Sequence, residues 1–90
     1  MPAHACPSRR AGVLDYQLAN EVVVYDPGTS QAASLNETAG MIWQLCDGTR
    51  TVETVCLEIA RCFDQSADEV DRSVREAVEQ LCNLGLLCVA

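Results

Sequence analysis

Apolar residues alternate with polar ones in the first half of the chain, and in the second half they recur at every third or fourth position. Rough alternation over Val13–Leu18 predicts one strand, and the most β-prone run, Glu21–Tyr25, predicts a second. A turn is predicted over Asp26–Thr29, because its proline presets φ and its glycine, Gly28, supplies a positive φ. Gln31–Leu35 is then predicted as a short third strand, although its alanines and serine have weak strand propensity.

Three helices are predicted after the strands, each beginning at a polar residue that can cap its N-terminus. They cover about Asn36–Cys46, Thr51–Phe63 and Ser66–Asn83. Ser66 and Glu69 form a capping box, and Gly48 and Gly85 suit the left-handed residue that follows a helix. Each helix has one apolar face, made by Ala39, Ile42, Trp43 and Cys46 in the first, by Val52, Val55, Cys56, Ile59, Ala60 and Phe63 in the second, and by Val70, Val74, Ala77, Val78 and Leu81 in the third.

The order of three strands followed by three helices predicts an α+β fold that starts with a β-meander. The short link from Cys46 to Thr51 joins two helices as in a helix-turn-helix. A chain of 90 residues is expected to form one domain. Met1–Ala11 has two prolines and no periodicity, which predicts a flexible N-terminal tail before a domain over residues 12–90. The apolar end, Leu86–Val89, is expected to pack on the core or to pair as a short strand.

Charge and hydropathy restrict the classes of partner. The chain has 13 acidic and six basic residues, none of which is lysine, and its net charge is −7. Binding to DNA or RNA draws on Lys and Arg at the phosphates, so this balance disfavours nucleic acid and an anionic membrane surface as partners. No apolar run approaches the ~20 residues that span a bilayer, and no apolar segment of signal-peptide type follows the N-terminus. We therefore expect a cytoplasmic protein with no membrane contact.

The sequence carries no catalytic or metal-binding pattern. Cys46, Cys56 and Cys82 fall on or beside apolar helical faces, where a free thiol acts as a small hydrophobe. The six cysteines form no Cys-x-x-Cys pair, which is the usual spacing of zinc and redox sites. The single histidine and the acids on the helix faces have no partners that would make a catalytic group. We expect reduced cysteines, no cofactor and no enzymatic activity, with a metal or redox protein as a minor alternative.

The third predicted strand is a candidate binding edge. An edge strand offers N–H and C=O groups to a partner, and the small Ala32 and Ser34 would let a guest chain approach. Alternatively, this segment is a poor strand that its own helix covers, and both interpretations fit the sequence.

The helix-turn-helix raises a different function, that of a winged-helix DNA-binding transcriptional regulator. The last helix would contact DNA through Arg72 and Arg75, but it also carries five acids. Recognition helices instead present basic and amide side chains to phosphates and bases. DNA binding is therefore kept as the alternative to peptide binding.

The stretch Leu35–Val52 carries a family signature. It reads Leu-Asn-x-Thr-Ala-x-x-Ile-Trp-x-Leu-Cys-Asp-Gly-x-Arg-Thr-Val. This resembles the PqqD-like family, which consists of small leader-peptide-binding domains named after the pyrroloquinoline quinone biosynthesis chaperone. The similarity covers about Val13–Leu87, and Leu81–Leu87 resembles the usual ending of that family, a Leu followed by Gly-Leu-Leu. The resemblance implies a winged-helix-like α+β fold, with a three-stranded antiparallel sheet against three helices.

The resemblance also implies a function and a site. Family members bind the leader of a ribosomally synthesised precursor peptide and present it to a maturation enzyme, often a radical SAM protein or, in lasso-peptide pathways, a leader protease. The leader pairs as an added strand along the third strand and lies beside the third helix. Carried over to this chain, the peptide-binding residues are expected to be Gln31, Ala32, Ala33, Ser34, Leu35, Arg72, Val74, Arg75 and Val78.

Two expectations concern partners and assembly. The strongly acidic chain makes a leader with basic residues a candidate ligand. A small meander with an exposed edge is expected to be a monomer or a dimer that exchanges its N-terminal strands.

Overall fold

Two tight turns fold the first half of the chain into a three-stranded antiparallel sheet in the computed structural model, which describes residues 2–89. Three helices follow this sheet, so the predicted α+β fold is confirmed. A second, two-stranded sheet pairs the two ends of the chain. In chain order the elements are β1 (Pro7–Arg9), β2 (Leu14–Leu18), β3 (Glu21–Asp26), β4 (Gln31–Leu35), α1 (Glu37–Leu45), α2 (Val52–Cys62), α3 (Ala67–Asn83) and β5 (Leu87–Val89).

The turn between β3 and β4 differs from the prediction in its conformation. Gly28 does not have a positive φ; Ser30 does, at 61°. The Asp26 carboxylate accepts a hydrogen bond from the Gly28 N–H at 2.9 Å, and the Asp26 carbonyl accepts one from the Ser30 N–H at 2.8 Å. The loop between Asp26 and Gln31 has four residues, and the last of them, Ser30, has the left-handed conformation that leads the chain into β4. The predicted role of Gly28 is therefore wrong.

All three predicted helix caps are confirmed. The side chains of Asn36, Thr51 and Ser66 accept hydrogen bonds from backbone N–H groups of the first helical turns, at 2.9, 3.1 and 3.2 Å. These bonds satisfy donors that have no partner inside a helix. Gly48 and Gly85 have φ values of 85° and 75°, as predicted for residues that follow a helix. Local chemistry thus determines where α1, α2 and α3 begin.

The carboxylate of Asp47 stabilises the link between α1 and α2 through local hydrogen bonds. Asp47 accepts hydrogen bonds from the backbone and the hydroxyl of Thr49, at 3.0 and 2.6 Å, and forms an ion pair with Arg50 at 2.7 Å. The Thr49 bonds, with a smaller contribution from Arg50, lower the pKa of Asp47 to about 2. The carboxylate therefore stays charged over the whole neutral and mildly acidic range.

The core lies between the inner face of the sheet and the three helices. Trp43 is fully buried, and its indole N–H donates a hydrogen bond to the Asp15 carboxylate at 2.8 Å. Helix α1 lies close against the sheet at Gly40, where an added Cβ would be only 2.8 Å from the Val22 side chain. The other large side chains with less than 2% exposure include Ile42, Ile59, Leu86, Val24, Val52, Val55, Val74 and Val78.

The N-terminal segment is not the flexible tail that the sequence predicted. Residues Pro7–Arg9 pair with β5, which confirms the predicted short strand at the end of the chain. The carbonyls of Ala3 and Ala5 accept hydrogen bonds from the first N–H groups of α2, at 3.0 and 2.9 Å, and Ala5 is only 4% exposed. The segment is ordered because it satisfies helix-end groups that would otherwise lack partners. Met1 lies outside the described residues.

Arg9 connects the N-terminal segment to the C-terminal end of α1. Its guanidinium donates hydrogen bonds to the carbonyls of Trp43 and Gln44, at 2.9 and 2.8 Å. We predict that Arg9→Ala lowers the free energy of unfolding by about 1–2 kcal/mol, since charged donors at a helix C-terminus satisfy free carbonyls. Urea unfolding of the variant checks this value. Arg10→Ala is the matched control, and equal stability of the two variants would contradict the prediction.

Candidate functional site

The free edge of β4 is the first component of the site. The larger sheet has the strand order β2-β3-β4, so β4 has a neighbour on one side only within the described residues. Gln31, Ala32 and Ser34 are exposed, Ala33 is half-buried and Leu35 is buried. These exposed residues favour the interpretation that β4 is open to a partner strand. They disfavour the alternative that its own helix covers it.

The register shows which backbone groups of β3 face each neighbour. Leu18 and Glu21 close the two-residue loop between β2 and β3, and such a closing pair exchanges hydrogen bonds. In an antiparallel strand, both backbone groups of a residue point to one side, and the side alternates along the strand. Since Glu21 points to β2, the next residue, Val22, and every second residue after it point to β4.

The same alternation then assigns the backbone groups of β4. Val22, Val24 and Asp26 pair with Leu35, Ala33 and Gln31, which therefore bond to β3. The N–H and C=O groups of Ala32 and Ser34 point outward. The free edge thus presents two donors and two acceptors beside small side chains, which is the arrangement that an added strand requires.

A groove adjoins the end of this edge. Asn36, which directly follows β4, forms part of its wall, and the other walls come from α1 and α3. The cavity has a volume of about 370 Å³. Its apolar floor consists of residues that are buried or half-buried, Ala39, Ile42 and Ala77. Its rim is polar and consists of Asn36, Thr38, Ser73, Glu76 and Gln80.

The four α3 residues predicted to bind the peptide are not among those that line this groove. Val74 and Val78 are both 0% exposed and belong to the core. Arg75 donates to Asp71 at 3.0 Å, and Asp71 also lies 3.7 Å from the thiol of Cys56 on α2.

Arg72 points outward, with 89% of its side chain exposed, and forms an ion pair with Glu76 at 3.1 Å. The α3 residues that line the groove are Ser73, Glu76, Ala77 and Gln80.

The apolar stripe of α3 packs into the core and does not face the groove. The groove residues lie beside that stripe, on the border between its buried and exposed faces. The sequence indicates this border by a small residue on each of two successive turns of α3, Ser73 and Ala77. Side chains of this size leave the space between α1 and α3 open.

The cysteines lie apart from this site. All six are free thiols in the structure. Desolvation by burial raises the pKa of Cys46 to about 12 and that of Cys56 to about 11. Burial also raises the pKa of Cys82. Among residues 2–89, no group of three or more His, Cys, Asp or Glu side chains is placed to hold a metal ion.

These surroundings predict a sharp difference in thiol reactivity. Because the thiolate is the reactive form, Cys46 and Cys56 should remain unmodified by iodoacetamide at pH 8, whereas the exposed Cys62 and Cys88 should react. Their raised pKa values keep the buried thiols protonated until the pH rises well above 8. Peptide mapping by mass spectrometry of the native protein measures this. Equal labelling of Cys46 and Cys62 would contradict the prediction, and denatured protein provides the control for full labelling.

Within residues 2–89, no helix combines the length and the apolar character that crossing a bilayer requires.

Comparisons with known proteins agree with this fold. The family model described as coenzyme PQQ synthesis protein D (PqqD) matches residues 21–87. A protein from Methylococcus capsulatus (strain Bath), named PqqA binding protein, is 38% identical over 64 residues, which are 71% of this chain. The chain spans 63% of the length of that relative.

A solved structure has the same fold. It is titled TbiB1 in complex with the TbiA(beta) leader peptide, and its TM-score is 0.79 at 22% sequence identity. The similarity covers 89% of this chain and 93% of that one.

Proposed function

The chain belongs to the PqqD family, and from this premise we propose that it is a non-catalytic module for peptide recognition. It captures the leader of a ribosomally synthesised precursor peptide by strand addition at β4. It then presents that peptide to a modifying enzyme. The pathway makes a peptide natural product or a peptide-derived cofactor.

The observation that carries this proposal is the pair of outward-facing residues on the free edge. Ala32 and Ser34 offer backbone hydrogen bonds to a guest strand of any sequence, and such bonds supply affinity. The groove between α1 and α3 receives side chains of the guest and supplies specificity. Two relatives support the binding of a leader peptide, since one is named for binding PqqA and the other was solved with a leader peptide.

For the modifying enzyme, we propose a class of protein and not an individual partner. The family resemblance implies a radical SAM protein or a leader protease, and a domain that only holds the leader needs such a partner for chemistry. The relative is named as a binding protein, in agreement with a role without catalysis. For assembly we propose a monomer, with a strand-exchanged dimer as the alternative.

DNA binding finds no support in these comparisons. The two relatives are described by the peptides that they bind. The structure adds that both α3 arginines form ion pairs with acids of the same helix, Arg72 with Glu76 and Arg75 with Asp71. A recognition helix needs such side chains at phosphates or base edges.

The proposed function is tested by titrating labelled synthetic leaders, taken from short reading frames beside the gene, and by following fluorescence polarisation. We expect saturable binding with a Kd of about 1 μM or tighter, corresponding to about −8 kcal/mol. A scrambled peptide of the same composition is the control and should not bind. Absence of binding to every neighbouring leader, with circular dichroism showing a folded protein, would contradict the proposal.

A further inference from the structure

We propose that this domain selects basic leaders, and that Glu76 is the residue that determines this specificity. The bound strand would carry an aliphatic side chain and, two positions away, a lysine or arginine. The inference rests on the proposed function, because it concerns the ligand of the same groove.

The groove is the middle part of a longer trough along α3. A cavity of about 220 Å³ shares Thr38 and Ser73 with it, and a cavity of about 200 Å³ shares Glu76 and Gln80. Together the three cavities follow α3 from Glu69 to Asn83. A peptide that runs along α3 would therefore meet a series of adjoining cavities and not a single isolated pocket.

The trough is acidic. Its lining includes the glutamates Glu69, Glu76 and Glu79, and no arginine or histidine lines the three cavities in the described part of the chain. The whole chain has a net charge of −7 and contains no lysine that could offset these acids. An anionic guest would meet like charges here, which costs binding energy, whereas a cationic guest is attracted.

The Arg72 ion pair leaves Glu76 accessible to a guest. The bond joins Arg72 to one carboxylate oxygen, Oε1, and the two side chains are 89% and 60% exposed. Such solvent-exposed pairs contribute little, so a guest cation can share or replace this partner. The N-terminus of α1 also reaches the groove, but Asn36 and Glu37 already meet its partial positive charge.

The length of the α3 wall leaves room for two side chains of the guest. From Ser73 to Gln80 the α3 wall rises by about 10 Å, at about 1.5 Å per residue. Side chains on one face of a strand recur every ~7 Å. One guest side chain can then pack on the apolar floor of Ala39, Ile42 and Ala77, while the next one on the same face reaches Glu76.

A positional-scanning library of synthetic nine-residue peptides tests the inference by fluorescence polarisation. We expect Lys and Arg to be selected two positions from an aliphatic residue, and Asp and Glu to be rejected there. The variant Glu76→Lys should weaken binding of the selected basic peptides by about tenfold and shift selection towards acidic ones. Glu58→Lys on α2 makes the same change of charge away from the trough and should leave selection unchanged.

The outcomes separate this inference from the proposed function. Peptide binding without a preference for basic residues, or an equal effect of Glu76→Lys and Glu58→Lys, would overturn the inference alone. Failure of the folded protein to bind any library peptide or any neighbouring leader would overturn both.

Discussion

Replacing Trp43 with alanine is expected to lower the free energy of unfolding by about 3–5 kcal/mol. The side chain is fully buried, so the substitution leaves a large cavity between the sheet and α1. It also removes the 2.8 Å hydrogen bond to Asp15, which connects α1 to β2. Because a domain of this size is stable by only about 5–15 kcal/mol, much of the stability would be lost. Urea unfolding followed by far-ultraviolet circular dichroism measures the change, since Trp43 is the only tryptophan.

Trp43→Phe is the matched variant that separates packing from hydrogen bonding. It retains an aromatic ring in the core and loses the N–H donor, so we expect a smaller loss of about 1–2 kcal/mol. A change below about 0.5 kcal/mol for Trp43→Ala, the range of ordinary surface substitutions, would show that Trp43 does not hold the sheet against α1.

The second large effect is expected at the free edge. Ser34→Pro should weaken leader binding by at least about tenfold, since it removes an outward N–H donor and places a ring where the guest strand would lie. Proline is tolerated on edge strands where its missing N–H would face solvent, so the fold should persist. The preceding residue, Ala33, already has the extended conformation that proline demands of its neighbour. Fluorescence polarisation with a leader peptide measures the loss.

Gln17→Pro on the opposite edge is the matched control. In β2, Leu14, Tyr16 and Leu18 point to β3 by the same alternation, so the N–H of Gln17 also faces outward. This variant carries the same backbone change without touching β4, and it should bind the leader normally. Unchanged affinity in a folded Ser34→Pro variant, or an equal loss in Gln17→Pro, would contradict strand addition at β4.

The larger sheet and the helices could be predicted because short-range chemistry determines them. Asn36, Thr51 and Ser66 each cap a helix through a hydrogen bond to a residue three positions away. The strand β1 could not be predicted in this way. It has three residues and no periodicity, and it is held by β5 and by the residues that follow α1, which are distant in sequence.

The candidate site was predictable only in part. The turn before β4 and the cap after it indicated a strand over Gln31–Leu35, despite its weak propensity. Which of its N–H groups face outward depends on the pairing of β2 with β3 and of β3 with β4, so this orientation required the structure. Which face of α3 lines the groove also required the structure, because the apolar stripe of a helix indicates its core contacts, whereas the groove lies at the edge of that stripe.

In the proposed function, the leader pairs with the outward-facing backbone of β4. Amide hydrogen exchange of the isotopically labelled protein, followed by NMR with and without a saturating leader peptide, tests it residue by residue. We predict strong new protection of the Ala32 and Ser34 amides, with much smaller changes at Gln31, Ala33 and Leu35, which already pair with β3. Binding of the peptide without protection of Ala32 and Ser34, or with protection on β2 instead, would contradict the account.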